Sequence, residues 1–291
     1  MENSAPKSHR LPLALLRLLP KHLVSRLGGL LVSVPVARPL RAPLWGAIGR
    51  RLGVDFSEIV TPLAEHRCFQ EFFTRPLAEW ARPVDADPRA LVAPCDGAWG
   101  QAGQVDAGTL LQVKGRPYRV ADLLGEDPGD RFDGGAYATL YLSPRDYHRF
   151  HAPCRMRIRR LRHLPGALWP VNRIGVEGVD GLFAINERMV AFADALDVDG
   201  EPIGELALVA VGATMVGKVR VTFDSWTTQD GRAVRERVYD PPIDFAKGVE
   251  WGRFEFGSTI VLVAEPSVVD LVVESTGTPL RLGRRIGTIP T

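Results

Sequence analysis

Cysteine is scarce in this chain of 291 residues. Cys68, Cys95 and Cys154 are the whole complement, they form no C-x-x-C pair, and an odd count leaves one without a mate. A disulfide framework is excluded as the basis of the fold, and a reducing compartment is expected. No complete G-x-x-x-x-G-K-[ST] phosphate loop and no G-x-G-x-x-G turn occurs, so nothing supports a nucleotide cofactor. Long apolar runs are missing too. The longest uncharged stretch near the N-terminus is 27–37, far short of the roughly 20 residues a bilayer span needs. Lys7 and Arg10 precede an apolar run at 11–19, but Arg17 interrupts it and no small-x-small cleavage site follows, which argues against a secretory signal. Repeats and low-complexity tracts are absent.

Acid is almost lacking from the first 53 residues, which hold nine Lys or Arg against Glu2 alone, a local charge of +8 in a chain of net +2. Such a stretch suits nucleic acid or an anionic membrane. Its interleaved residues are Leu, Val and Ala, with Trp45 the sole aromatic. Base stacking is poorly served, so a membrane surface is favoured and nucleic acid is not. Leu15, Leu16, Leu19, Leu23, Leu27, Leu30 and Leu31 recur at helical spacing while Arg17, Lys21 and Arg26 fall elsewhere around the helix. The spacing fits an interfacial helix, or a helix packed on its own core.

With 45% apolar and 24% charged residues the chain is globular, and 29 Gly and 23 Pro exceed what a helical bundle tolerates. Residues 1–80 read as helical and basic, with Pro76 ending a helix in the 68–77 segment. From about 90 to 265, β-branched runs at 137–142, 206–211, 219–223 and 260–264 alternate with Gly and Pro turns, and one more strand-like run lies at 268–273. The fold class expected is α+β: a mostly antiparallel β core behind a basic, amphipathic helical N-terminal region, with 1–80 membrane-associating and 81–291 catalytic.

Four clusters can carry chemistry. Pro94-Cys95-Asp96-Gly97 puts an acid in a tight turn, ordinarily a turn former. Tyr141-Leu142-Ser143-Pro144-Arg145-Asp146-Tyr147-His148-Arg149-Phe150-His151-Ala152-Pro153 holds two of the six histidines directly after a strand. Histidine suits proton transfer near neutral pH, though two core-satisfied histidines are the plainer reading. Gly257-Ser258-Thr259 precedes an apolar run and by itself is a common turn. Arg155, Arg157, Arg159, Arg160 and Arg162 form either a solvated strand face or an anion-facing patch.

In combination these clusters resemble the phosphatidylserine decarboxylase family, in its bacterial membrane-associated form. The resemblance runs from 69–77 through 94–97, 141–153, Asn186-Glu187-Arg188 and 211–217 to 247–259, nearly the whole chain. It departs at Cys95, where Ala is more usual, and at Phe256, where Leu commonly precedes the Gly-Ser-Thr. The resemblance implies a proenzyme that cuts itself between Gly257 and Ser258 into a long chain (1–257) and a short chain (258–291). The Ser258 hydroxyl attacks the Gly257 carbonyl to give an ester, and elimination, tautomerisation and loss of ammonia leave a pyruvoyl group. That ketone is the electron sink for decarboxylating phosphatidylserine to phosphatidylethanolamine. By the same resemblance His151 is the base for Ser258, oriented by Asp96, and His148 protonates the carbanion. The partners implied are phosphatidylserine, an anionic membrane surface met peripherally from the cytoplasmic face, and the protein's own two chains as a heterodimer. One of Arg145, Arg149 or the 155–162 run is the candidate for the head group.

Three rivals stand beside this. One is a pyruvoyl decarboxylase acting on a different amino-acid phospholipid or a soluble phosphoserine compound, against which the basic, amphipathic N-terminus speaks for a membrane lipid. His148, His151 and Cys154 at three-residue intervals, completed by His163 or Cys95, have the look of a zinc hydrolase site, although Pro153 breaks the helix such spacing wants. A catalytically inactive lipid-surface or scaffold homologue is the third, and against it Asp96, His148, His151 and Ser258 are all present.

Overall fold

The computed structural model describes residues 21–112, 115–214, 218–229, 231–255 and 259–290. Two helices come first, α1 (Lys21–Val32) and α2 (Arg38–Leu52), then the short α3 (Phe69–Phe73). Strands β1 (Ala90–Val92), β2 (Gly97–Gln104), β3 (Thr109–Gln112) and β4 (Arg116–Arg119) lead to α4 (Val120–Leu124). Next are β5 (Ala136–Tyr141), β6 (Arg149–His151), β7 (Met156–Leu164) and the helical turns α5 (Arg173–Gly178) and α6 (Leu182–Ile185). Then come β8 (Arg188–Leu196), β9 (Pro202–Val211), β10 (Val219–Val221), β11 (Arg235–Phe245) and β12 (Glu250–Phe254). The chain closes with β13 (Thr259–Ala264), β14 (Asp270–Leu271), β15 (Pro279–Leu280) and β16 (Arg285–Thr288).

Local chemistry explains the helix ends. Gly53 stops α2 in the left-handed region at φ 82, a conformation costly to residues with a Cβ. α3 stops ahead of Pro76 as the sequence predicts: the Thr74 hydroxyl and N–H both turn back to the Gln70 carbonyl at 2.9 Å. Trp45 of α2 stacks on Phe72 of α3, with ring centroids 5.9 Å apart, and donates its indole N–H to the His66 carbonyl. This small satellite core holds α2 to α3. The amphipathic leucines split around the boundary of what is described. Leu15, Leu16 and Leu19 lie outside the described residues, and in α1 Leu27, Leu30 and Leu31 are exposed.

The strands form an eight-stranded sheet in the order β11-β7-β8-β9-β13-β5-β2-β15, antiparallel throughout, with smaller antiparallel sheets beside it. The α+β class with an antiparallel core is what the sequence predicts. β13 sits inside this sheet, with Thr259 opposite Val211 on one side and Tyr141 on the other. Its alternate residues enter two cores. Ile260, Leu262 and Ala264 join Leu140, Phe150, Trp251 and Phe254, whereas Val261 and Val263 join Tyr137, Val209, Val211 and Phe183. A strand buried on both faces reads as an unbroken apolar run rather than an alternating one, which is why 260–264 stands out in the sequence. The run at 268–273 is strand only over Asp270–Leu271. Val272 and Val273 are exposed beyond it.

The start of β2 depends on a missing side chain. Gly97 has φ 146, and a Cβ there would meet the Tyr141 carbonyl oxygen at 2.0 Å. This close approach seats Asp96 at the head of the sheet. Gly97→Ala is expected to lower stability by on the order of 3 kcal/mol, read as a reduced urea midpoint; an unchanged midpoint refutes the constraint.

Candidate active site

The two histidines of the sequence motif lie on the turn between β5 and β6 and on β6 itself. Asp146 accepts from the Ser143 backbone N–H and hydroxyl, both at 2.7 Å, and so closes the turn. Two residues on, His148 folds under it. Its Nδ1 lies 2.8 Å from the Asp146 carbonyl oxygen. A carbonyl can only accept, so Nδ1 carries the proton and Nε2 keeps its lone pair. That Nε2 is buried and without a partner. The ring is fully buried, with the Phe73 centroid 4.0 Å away. Burial pushes the imidazole pKa down to about 3, against a smaller upward pull from the Asp146 carbonyl.

His151 repeats the design from β6. Its Nδ1 donates to the Gly248 carbonyl at 2.8 Å, its Nε2 is buried and unpartnered, and burial again lowers its pKa. Both imidazoles are therefore neutral at pH 7 and present a free lone pair, the state a general base requires.

Asp96 is placed differently from the expectation that it orients His151. Its carboxylate is held by Arg82, whose Nε lies 2.8 and 2.9 Å from the two oxygens, and Oδ1 also accepts the Leu282 N–H at 2.9 Å. The Gly248 carbonyl already occupies His151 Nδ1, so Asp96 reaches that ring only through space, as the last of several charges around it. Arg82 also bonds Glu58 at 2.8 Å, and Arg281 reaches the same Glu58 oxygen at 2.7 Å. Arg82 and Gly248 are the residues sequence reasoning missed here. Arg82 carried no signal among the chain's other arginines, and Gly248 acts through its backbone.

Gly257 and Ser258 lie outside the described residues, as does Phe256. The described chain on either side is firmly set. The Phe254 N–H donates to the His148 carbonyl at 2.9 Å, and Thr259 starts β13. A cavity of about 370 Å³ opens at Thr259, with Thr139, Tyr141, Val176 and Phe183 among its walls. The Thr259 hydroxyl is buried without a partner. Fully buried Gln112 ties the α5–α6 segment beside this cavity: its amide donates to the Val176 and Val179 carbonyls at 2.6 and 2.8 Å and accepts from the Leu182 N–H at 3.0 Å.

Four of the five arginines after the histidines form an ion-paired strand face rather than an anion patch. Arg157 pairs with Asp244, Arg159 with Asp194 and Glu205, and Arg160 and Arg162 both with Glu126 and Glu236. Arg149 is likewise taken, by Glu250 and the Thr74 carbonyl. Cys154 is buried in the main core, its thiol pushed up to about 12 by burial. No three His, Cys, Asp or Glu side chains gather as a metal-ligand set among the described residues, so His148, His151 and Cys154 are not brought together as the zinc reading needs.

Two neutral buried imidazoles, each held in one tautomer by a backbone carbonyl, have the form that acid–base chemistry uses. The chain belongs to the phosphatidylserine decarboxylase family, which it matches over residues 69–288. It is 44% identical over 283 residues to a phosphatidylserine decarboxylase proenzyme of Anaeromyxobacter sp. (strain K), covering 96% of this chain and 98% of that one. The corresponding proenzyme of Myxococcus xanthus (strain DK1622) is 39% identical over 279 residues, covering 94% and 97%. That of Brevibacillus brevis is 39% identical over 282 residues, covering 94% and 96%.

The buried His148 makes stability depend on pH. Its folded pKa lies below the unfolded value of 6.5, so the stabilisation is complete above pH 6.5 and is lost as pH falls towards 3. Between pH 6.5 and 4.5 the loss from this group is about 2–3 kcal/mol. Denaturation midpoints of wild type and His148→Gln across that range check it. Equal slopes in the two proteins overturn it.

Proposed function

We propose that this chain is a self-processing, pyruvoyl-dependent decarboxylase of phosphatidylserine working at a membrane surface. The observation that carries the reading is the pair of buried imidazoles with unpartnered Nε2 atoms, one on the β5–β6 turn and one on β6, the turn's backbone being bonded to the strand that ends at Phe254. In self-cleavage, His151 Nε2 takes the proton of the Ser258 hydroxyl as its oxygen attacks the Gly257 carbonyl. The amide becomes an ester, elimination breaks the chain, and one water is consumed as ammonia leaves. Gly248 holds the ring for this step. Asp96, pinned by Arg82 and the Leu282 N–H, positions 281–282 against the head of β2.

A pyruvoyl ketone at residue 258 supplies the electron sink that loss of carbon dioxide requires. The surrounding residues suit such a group: a cavity opens at Thr259, and that residue's hydroxyl has no other partner. Being neutral, His148 accepts a proton at Nε2 from the entering substrate ammonium and returns it to the substrate carbon after carbon dioxide leaves. The cavity at Thr259 takes the substrate's reacting end, bounded by the segment that Gln112 holds.

The sheet supports a two-chain product. Every strand after residue 258 pairs with a strand before it or lies beside one that does: β13 with β9 and β5, β15 with β2, β16 with β1, and β14 with β16. Severing 257 from 258 breaks none of these ladders.

Intact mass and denaturing gels test the chemistry. Wild type should give fragments 1–257 and 258–291, and Ser258→Ala a single inactive chain. His151→Ala should slow cleavage at least 100-fold, and Asp96→Asn should slow it less. His148→Ala should cleave yet lose decarboxylation. An unbroken, fully active chain, or cleavage in Ser258→Ala, sinks the reading.

Membrane docking is assigned to α1 and α2, where Leu27, Leu30, Leu31, Val34 and Leu40 are exposed and Arg38 stands beside them with most of its side chain in solvent. No helix among the described residues is long and apolar enough to cross a bilayer. The contact assigned is interfacial, at the cytoplasmic face, with residues 1–80 as the docking region and 81–291 as the catalytic one. Basic residues near an anionic surface contribute about 1 kcal/mol each. Removal of 1–33 should cut sedimentation with anionic vesicles at low salt. Unchanged sedimentation of the truncated protein counts against the assignment.

A further inference from the structure

A second cavity, of about 500 Å³, shares no lining residue with the one at Thr259. Its walls include Arg75, Arg82, Arg145, Arg281 and Arg284 against four carboxylates. Those carboxylates are engaged. Glu58 accepts from Arg82 and Arg281, and Asp96 from Arg82 and Leu282. Asp146 accepts from Ser143 and Asp55 from Ser57.

Three of the guanidiniums are not comparably engaged. Arg75 is 4% exposed, yet its Nε has no hydrogen-bond partner. Its terminal nitrogen reaches the Phe72 and Phe73 carbonyls only at 3.5 Å. Arg145 has a single 3.7 Å contact, to Asp146. Arg284 lines the same cavity with an exposed side chain and no ion pair among the described residues. Burial draws the Arg75 guanidinium down to about 10 against upward pulls from Glu58 and Asp96, and its Cζ lies 5.5 Å from the Phe72 ring centroid. An unsatisfied buried donor costs about 1–3 kcal/mol, more when charged, and such a cost persists where a ligand relieves it.

We infer that this cavity is an oxyanion site for a phosphate-class ligand, either a phosphodiester head group or free phosphate, held by Arg75, Arg145 and Arg284. Guanidinium forks match phosphate oxygens in geometry and charge. The three come from separate parts of the chain. Arg75 follows α3, Arg145 belongs to the histidine turn, and Arg284 lies just before β16. A bound anion ties the helical region, the histidine turn and the segment after residue 258 together beside Asp96. The site is a matter of binding and does not depend on the decarboxylase reading.

Equilibrium dialysis of the purified full-length protein with labelled inorganic phosphate tests the inference, run in parallel with a monomeric short-chain phosphatidylglycerol. Binding of either probe, weakened tenfold or more in the Arg145→Gln/Arg284→Gln double variant, supports it. Both residues project into solvent, so the variant should keep its wild-type unfolding midpoint. Phosphate binding identifies a free anion, and binding of the lipid alone identifies a head group. The inference is overturned if neither probe binds at concentrations up to roughly 10 mM, or if the double variant binds as wild type does.

Discussion

The geometry of this protein rests on where β13 lies. A strand hydrogen-bonded on both edges and buried on both faces cannot move without breaking two ladders and two cores. All six of its residues, Thr259–Ala264, are buried. Fully burying each Val, Leu or Ile side chain contributes about 1.5–3 kcal/mol. Thr259, the first of them, is thus fixed by two ladders and a buried face. The segment from Thr259 onward is held to the rest of the protein by pairing and burial. The same placement fixes the neighbours: Tyr141 opposite Thr259 ends β5, and the histidine turn follows directly.

Electrostatics on that turn follow from what the imidazoles face. A carboxylate against Nδ1 stabilises the imidazolium and raises the pKa, whereas a backbone carbonyl orients the ring without supplying a full negative charge. His148 and His151 both have the carbonyl, from Asp146 and Gly248, and both are driven toward the neutral form by burial. Asp96 is spent elsewhere. Its bonds to Arg82 and Leu282 make it a joint between the linker after the helical region and the last segment of the chain. Arg82 accepts this role because its hydrogen bonds to Asp96 and Glu58 outweigh its own burial and raise its pKa.

What could be read in the sequence was local. The apolar run at 260–264, the end of α3 before Pro76 and the placement of two histidines just after a strand all follow from residues within a few positions of one another. The order of motifs gave the family. Distant partnerships were not legible. Gly248 meets His151 across 97 positions, Arg82 meets Asp96 across 14, and Gln112 meets Val176 across 64. None of these acceptors or donors has a pattern of its own. The arginines of β7 show the same limit from the other side. Spacing left strand face and anion patch equally open, and only the cross-strand arrival of Glu236 and Asp244 from β11, with Glu126 and Glu205 from elsewhere, settled it as an ion-paired face.

Two groups of arginines in one chain therefore have opposite fates, and composition cannot tell them apart. On β7 each guanidinium from Arg157 to Arg162 that meets the surface finds a carboxylate, so the charge is locally cancelled and its contribution is structural. Around Asp96 the carboxylates are used up by Arg82, Arg281 and backbone or hydroxyl donors, and Arg75 is left buried with a bare Nε. The unpartnered buried atoms among the described residues are more widely spread, and include Tyr118 Oη, Gln229 Nε2 and Trp251 Nε1. Folding satisfies nearly all buried polar groups because each failure costs about 1–3 kcal/mol. Yet His148 Nε2, His151 Nε2, the Thr259 hydroxyl and Arg75 Nε all remain without partners. The histidine atoms lie on the β5–β6 turn and on β6, the Thr259 hydroxyl belongs to a residue that lines one cavity, and Arg75 lines another. What sets these four apart from the other unpartnered atoms is their neighbours: a histidine turn joined to the strand before 255, the first residue of β13, and a wall of guanidiniums.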